Sequence, residues 1–184
     1  MSRLTSMSPA ALRAVFSPES DANLIMLITI YDPVNTNTVL FRIADGYVED
    51  PANPGKALRL STTTDDVVVY GVISGGQEYS FLPIQVTLPN EDESQAPRCS
   101  LTIHDVSRYL VPFIRQQLVG PARVKLEMVL STTPNTIEAS FEGFLMTNVT
   151  YNANTVTAEL TMVNYDREPF PQHSFSPIYF PGLF

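Results

Sequence analysis

The chain is poor in charge, has one cysteine and lacks any long apolar run, and each shortage excludes a class of protein. Because Cys99 is the only cysteine, neither an intramolecular disulfide nor a four-cysteine metal or iron–sulfur site can form within one chain. The longest apolar run, Leu24 to Ile30, is far shorter than the ~20 residues that span a bilayer. The N-terminus also lacks the apolar core of a secretory signal, which predicts a protein made in the cytoplasm.

Charged residues make up only 16% of the 184 residues, whereas about 25% is usual in soluble domains. Such residues are depleted from the centres of protein interfaces, so a charge-poor surface favours contact with other proteins. The balance is acidic, with 19 Asp and Glu against 11 Lys and Arg and a formal net charge of −8. This excess argues against a nucleic-acid-binding domain, and acidic walls would let DNA pass without adhering to them.

The last third of the chain carries the clearest strand patterns. Residues 122–130 and 155–162 alternate apolar and polar side chains, which is typical of strands with one buried and one solvent-exposed face. A long strand over residues 140–151 joins the second of them through Asn152-Ala-Asn154, which predicts an antiparallel hairpin beside strand 122–130. Gly143 is expected to mark a bulge in the long strand. The predicted inward residues are Val124, Leu126, Met128, Leu130, Val156, Ala158, Leu160 and Met162.

Earlier segments predict shorter elements. Ser8 followed by Pro9 predicts the start of a helix that ends at Phe16, with Leu12 and Phe16 on one face. The run from Leu24 to Ile30 predicts a strand covered on both sides. Asp45-Gly46 and Asn53-Pro54-Gly55 are expected to bracket a loop, and Gly75-Gly76 to form a hairpin turn. Helical spacing after Asp105 predicts a second helix, interrupted at Pro112.

Together these patterns predict a mainly β, β-rich α+β fold. We expect an antiparallel sheet or barrel with one helix inserted after residue 105 and an extended C-terminal arm. Residues 1–22 form an N-terminal arm with a short helix, residues 23–167 a β-rich domain, and residues 168–184 the arm. Prolines at 169, 171, 177 and 181 interrupt the regular ladder pairing of that arm.

The residues that could carry catalysis are few. Cys99 and His104 are five residues apart on one predicted strand, so their side chains point to opposite faces and Cys99 is expected to be a small buried hydrophobe. No histidine spacing typical of zinc sites occurs. The acidic pair Asp65-Asp66 and the acidic triplet Glu91-Asp92-Glu93 lack the pattern of a calcium loop and are interpreted as solvated loop charge. The sequence therefore predicts no enzyme, no metal and no cofactor.

Several segments resemble a known family. They are Tyr79 to Pro89 (YSFLPIQVTLP), Cys99 to Val106 (CSLTIHDV), Val129 to Pro134 (VLSTTP), Glu168 to Pro171 (EPFP) and Phe180 to Phe184 (FPGLF). Over roughly residues 60 to 184 the chain resembles a family of small tail proteins of long-tailed bacteriophages, a domain of unknown function in the tail-tip gene cluster. That family is similar in place and size to the N-terminal domain of lambda-type tail-tip hub proteins. The lambda protein has a further cysteine-rich domain, which this chain does not match.

The resemblance implies a structural role in the tail tip, or baseplate hub. The expected subunit would form a ring, with a homotrimer favoured over a hexamer, between the distal tail protein and the central tail fibre. DNA would pass through the ring without specific binding. The expected location is the virion, with no membrane contact in the resting particle.

The aromatic C-terminus is the predicted interface. We expect it to dock into a neighbouring subunit, and the alternative is that it folds back over its own sheet. The predicted interface residues are Phe170, Phe175, Ile178, Tyr179, Phe180, Leu183 and Phe184, and the candidate lumen residues are Asp65, Asp66, Glu91, Asp92 and Glu93.

A second class of function is a binding module on the particle exterior for a host receptor or carbohydrate. Tyr31, Tyr47 and Tyr79 could stack on sugar rings, although core or interface packing is the expected use of such side chains. A cell-wall-degrading enzyme is third, because no acid–base pair stands out in the sequence.

Overall fold

The computed structural model describes residues 7–17, 22–35, 38–61, 68–87, 98–104, 120–152 and 154–162. Within these ranges the protein is mostly β, with one helix. The elements are α1 (Pro9–Phe16), β1 (Leu24–Tyr31), β2 (Val39–Ala44), β3 (Glu49–Asp50), β4 (Asn53–Ala57), β5 (Gly71–Ser74), β6 (Gln77–Phe81), β7 (Ile84–Thr87), β8 (Arg98–His104), β9 (Arg123–Leu130), β10 (Thr133–Tyr151) and β11 (Thr155–Met162).

Nine of these strands form one sheet in the order β5-β6-β2-β1-β9-β10-β11-β8-β7, and β3 pairs with β4 in a small second sheet. Only Leu82 and Pro83 separate β6 from β7, although the two strands lie near opposite ends of this order. The Leu82 amide donates to the Ala44 carbonyl of β2 at 3.0 Å, and the Pro83 carbonyl accepts from the His104 amide of β8 at 2.9 Å. Adjacent residues therefore join the two ends of the sheet, which closes there as a barrel.

Strand β10 is long because bulges bend it around the barrel. Its register with its neighbours shifts between Thr133 and Ile137, between Ile137 and Ala139, between Phe141 and Phe144, and between Thr147 and Thr150. Gly143 lies in the third shift with a φ of 86°. This left-handed backbone favours glycine, and it confirms the bulge that the sequence predicts.

The barrel interior is filled with side chains. Phe144, Leu126, Ile28 and Leu160 are each at most 1% exposed and belong to one apolar cluster drawn from β1, β2, β8, β9, β10 and β11. Among the described residues the barrel interior is therefore a packed core.

A second apolar cluster covers the outer face of the barrel. It includes Ile25 and Leu27 of β1, Val72 of β5, Tyr79 of β6 and Val129 of β9. Strand β1 therefore has one face in each cluster, which confirms the prediction of a strand covered on both sides. The Gly75-Gly76 turn of the β5–β6 hairpin has φ values of 56° and 73°, as predicted for a two-residue hairpin turn.

Three details of the sequence interpretation are wrong. The sheet is mixed, because β2 and β6 pair in parallel. The stretch expected to be a loop between Asp45-Gly46 and Asn53-Pro54-Gly55 contains β3, and Asn53-Pro54-Gly55 itself begins β4. In β9 the alternation fails after Leu126, since Glu127 is 6% exposed and Val129 is fully buried. The second cluster causes this last difference, because it covers the face of β9 that the pattern assigned to water. The helix predicted after residue 105 lies outside the described residues.

Candidate assembly surface

The structure does not place the predicted site residues. The predicted interface, all of it at or beyond Phe170, and the candidate lumen residues Asp65, Asp66, Glu91, Asp92 and Glu93 lie outside the described residues. The surfaces that could join subunits must therefore be sought on α1, on the open edges of the sheet and on the faces around them.

Helix α1 is fixed to the barrel by a buried carboxylate. Ser8 caps the helix as predicted, and its hydroxyl oxygen accepts from the Ala11 amide at 3.2 Å. Glu138, the extra residue of the bulge between Ile137 and Ala139 of β10, is only 7% exposed. Its two carboxylate oxygens accept from the Ser8 amide at 2.8 Å and from the Ser8 hydroxyl at 2.9 Å. The bulge thus points a carboxylate at the first turn of the helix.

The exposed side of α1 carries two large apolar side chains as well as Arg13. Ala11 is fully buried, whereas Val15 is 47% exposed and Phe16 is 73% exposed. The buried face is therefore centred on Ala11 and not on the Leu12 and Phe16 pair. Since Glu138 holds the helix in one orientation, Val15 and Phe16 form a fixed apolar contact surface.

Replacing Glu138 with alanine should detach α1, because both groups of Ser8 lose a charged acceptor worth about 1.5 to 3 kcal/mol each in comparable bonds. We expect the amides of residues 11–16 to lose protection from hydrogen exchange while those of β9 keep theirs. Glu138→Gln retains one acceptor and should show an intermediate loss. Equal protection in all three proteins would contradict the role given to Glu138.

Strand β7 has one edge that no described strand covers. It is the last strand of the sheet and pairs only with β8 among the described residues, from Ile84 opposite Ile103 to Thr87 opposite Ser100. The His104 amide bonds to Pro83, so in the alternating antiparallel pattern Ile84 and Val86 turn their N–H and C=O groups away from β8. Their side chains are half-buried against the barrel core. Strand β2, which bonds to Leu82, ends at Ala44 and does not cover this edge.

A lysine lies between two carboxylates on the outer face of β9 and β10. Lys125 Nζ is 2.9 Å from an oxygen of Glu127 and 2.9 Å from an oxygen of Glu142. Hydrogen bonds to Glu127 and then to Glu142 raise the pKa of Lys125. The bond from Lys125 lowers the pKa of Glu142. Lys125 thus balances the charge of the buried Glu127, and the three side chains together are a structural feature of the barrel wall.

A cleft of about 400 Å³ lies beside β4 and is lined by Asp50, Asn53, Lys56, Ala57, Arg59 and Tyr70. Asn53 Nδ2 donates to Asp50 at 2.8 Å, and this bond is the main cause that lowers the pKa of Asp50. Among the described residues, neither Lys56 nor Arg59 has a carboxylate within ion-pair distance. The cleft combines two cations and the Asp50 carboxylate with an aromatic ring, that of Tyr70, which is 39% exposed.

The groups that could carry catalysis remain isolated. Cys99 is 3% exposed, as predicted, and burial raises the pKa of its thiol to about 11, so it stays protonated at neutral pH. His104 is exposed at the end of the same strand. No group of three or more metal-ligating side chains occurs in the part of the chain that the structure describes.

The three tyrosines weighed for sugar stacking have different environments. Tyr79 is 6% exposed in the second cluster, with its hydroxyl 3.3 Å from that of Thr29, so it is a core residue. Tyr47 is 52% exposed and packs edge-on against Phe81. Tyr31 is half-buried at the end of β1. These side chains do not form a common stacking surface.

Comparison with known proteins gives no match: no family model matches the sequence, and no curated protein is similar to it. Among the described residues, no helix is both long and apolar enough to cross a bilayer. The geometry of the chain is therefore the main guide to its function.

Sequence reasoning missed Glu138 and the open edge of β7. A glutamate between apolar positions gives no sign that a helix 130 residues earlier will bind it. The edge of β7 is unpaired among the described residues because β2 ends before it reaches that edge, and no local sequence pattern shows where β2 ends. Which residues between 77 and 87 turn their backbone groups to each side is evident only once the neighbouring strands are known.

Proposed function

We propose that this chain is a structural subunit of a phage tail tip, a ring of the baseplate hub between the distal tail protein and the central tail fibre. The observation that carries the proposal is a pair of anchored surfaces that no described residue covers, Val15 and Phe16 of α1 and one edge of β7. A soluble protein that works alone usually protects such an edge with charge or proline, and this edge carries Gln85 and Thr87 instead.

Three further features support a ring. The packed barrel core suits a DNA channel formed by subunits around an axis. The acidic excess suits a lumen that must not bind phosphate. Nine of the 19 acidic and seven of the 11 basic residues lie in the described ranges, so most of the excess belongs to other segments, among them the candidate lumen residues.

In this proposal the protein is not an enzyme and needs no cofactor. It assembles with itself, as a homotrimer in preference to a hexamer, and the C-terminal residues from Phe170 to Phe184 form the main contact with a neighbour. Its place is the virion, after synthesis in the host cytoplasm, and DNA passes through the ring during ejection.

Reconstruction of the intact particle tests this proposal. We expect density for the barrel around the tail axis, directly below the tail tube. Density on the outer surface and away from the axis would contradict the hub assignment.

The cleft beside β4 favours a second candidate, an exterior module that binds an acidic host carbohydrate. Lys56 and Arg59 would contact the acidic groups, and Tyr70 would stack on a sugar ring. A Lys56→Ala/Arg59→Ala variant should then adsorb poorly to host cells while its particles assemble normally. Normal adsorption would exclude this candidate.

A further inference from the structure

We propose that the open edge of β7 receives the C-terminal segment of a neighbouring copy, which adds to the sheet as an antiparallel strand. This inference rests on the proposed ring. It specifies where on the partner the segment docks and which of its side chains enter the partner's core.

The first argument is the edge itself. Ile84 and Val86 direct their N–H and C=O groups away from β8, and among the described residues no strand bonds to them. Their side chains are half-buried at the rim of the barrel core. A strand added there would satisfy these backbone groups and cover the exposed rim at the same time.

The second argument is the placement of proline in the segment. Pro169, Pro171, Pro177 and Pro181 all have odd numbers. In an extended strand the N–H groups of alternate residues point to the same edge, so the N–H groups that the four prolines lack would all belong to one edge of the segment. The opposite edge carries the N–H groups of the even-numbered residues, which are all present and can pair with β7. The prolines then lie on the outer edge, where they stop further strands from adding.

The third argument is which side chains would face the core. Residues directly opposite each other in an antiparallel pair share a face. Because even-numbered residues pair with Ile84 and Val86, Ile178 and Phe180 would pack beside these two at the core. The odd-numbered residues, with Tyr179, would lie on the outer face beside Gln85. Parallel addition would instead turn prolines toward the core.

In a head-to-tail ring each subunit needs two different complementary surfaces, one that contacts the preceding subunit and one that contacts the next. The C-terminal segment and the edge of β7 are such a pair. Strand β11 ends at Met162, and its Thr161 lies opposite Arg98 of β8, which also pairs with β7. Met162, where the described part of the chain ends, therefore lies about 10 Å, two strand spacings, from β7 of its own barrel. If the segment filled its own edge, neither surface would remain for assembly.

Disulfide trapping between two separately purified variants tests this arrangement. One carries Gln85→Cys and the other, marked by isotopic labelling, carries Tyr179→Cys. After mixing and mild oxidation, we expect a disulfide-linked band of two chains of 20.4 kDa, with one chain of each kind. The native Cys99 is buried and gives no background. Ile178→Cys in place of Tyr179→Cys is the matched control, because its side chain would face the core and should not cross-link with Gln85→Cys.

Other outcomes overturn the inference in distinguishable ways. In the double variant Gln85→Cys/Tyr179→Cys, a disulfide within one chain and none in the mixture would show that the segment covers its own edge. Equal cross-linking by Ile178→Cys would exclude the stated pairing. No cross-link while the wild-type protein still forms rings would exclude β7 as the docking site and leave the proposed function intact. If the wild-type protein forms no ring under any assembly condition, the proposed function itself fails.

Discussion

Replacing Phe144 with alanine should lower the free energy of unfolding by about 3 to 5 kcal/mol, the usual loss for a large aromatic side chain removed from a packed core. Phe144 is 1% exposed and is the largest fully buried side chain of the barrel. It follows the bulge at Gly143, which turns the strand so that the ring points into the interior. Its removal leaves a cavity that the closed wall of strands cannot easily collapse.

Denaturant unfolding of the Phe144→Ala variant measures this loss. Ile137→Ala is the matched control, because Ile137 belongs to the same strand but is 51% exposed. Its effect on the free energy of unfolding should stay within about 0.5 kcal/mol, as for other surface positions. Similar losses for both variants would mean that the barrel interior is not the main core.

Replacing Lys125 with methionine should lower the free energy of unfolding by about 3 kcal/mol, since breaking a buried ion pair leaves an uncompensated charge. The charge left behind is that of Glu127, whose side chain is 8% exposed and is bound by Lys125 at 2.9 Å. The double variant Lys125→Met/Glu127→Leu removes both charges and should recover most of the loss. The more exposed Glu142 contributes less, so Glu142→Gln should cost at most about 1 kcal/mol.

A double-mutant cycle at Lys125 and Glu127, measured in chemical denaturant, separates the energy of the ion pair from the cost of the buried charge left behind. If Lys125→Met and the double variant unfold with equal stability, the account of Glu127 is wrong.

The dependence of stability on pH follows from the same group. Because Lys125 lowers the pKa of Glu142, the stabilisation from this pair is present above the ordinary pKa of a glutamate and is lost as pH falls through the lowered value. The pKa of Lys125 is raised, so its stabilisation is complete below the ordinary lysine value, near pH 10, and is lost only at still higher pH. Thermal unfolding between pH 3 and pH 7 should show a smaller acid-induced loss in Glu142→Gln than in the wild type.

Local chemistry made much of the barrel predictable from the sequence. Strand β11 alternates because one of its faces meets the core and the other meets water, and from Val156 to Leu160 its burial follows the predicted pattern. The turn at Gly75-Gly76 and the bulge at Gly143 were predictable because only glycine adopts these backbone angles without strain. Cys99 was predictable as a buried residue from the parity of its strand.

The remaining features depend on contacts between distant segments. The parallel pairing of β2 with β6 and the closure at Leu82 and Pro83 arise from three-dimensional proximity that no local period records. Glu127 and Glu138 look like surface residues in the sequence, yet the second cluster and α1 cover them. Asn53-Pro54-Gly55 has strong turn chemistry, but pairing with β3 places it at the start of an edge strand. The predicted interface and lumen residues stay predictions.

The mass of the full-length protein in solution, alone and mixed with the distal tail protein, tests the central claim most directly. Native mass spectrometry should show a ring of identical chains, with three copies favoured, that forms alone or on mixing and is lost when residues 168–184 are removed. The truncated chain should still fold, with the β9 and β11 amides protected from hydrogen exchange. A full-length protein that remains at 20.4 kDa in both conditions would contradict the account.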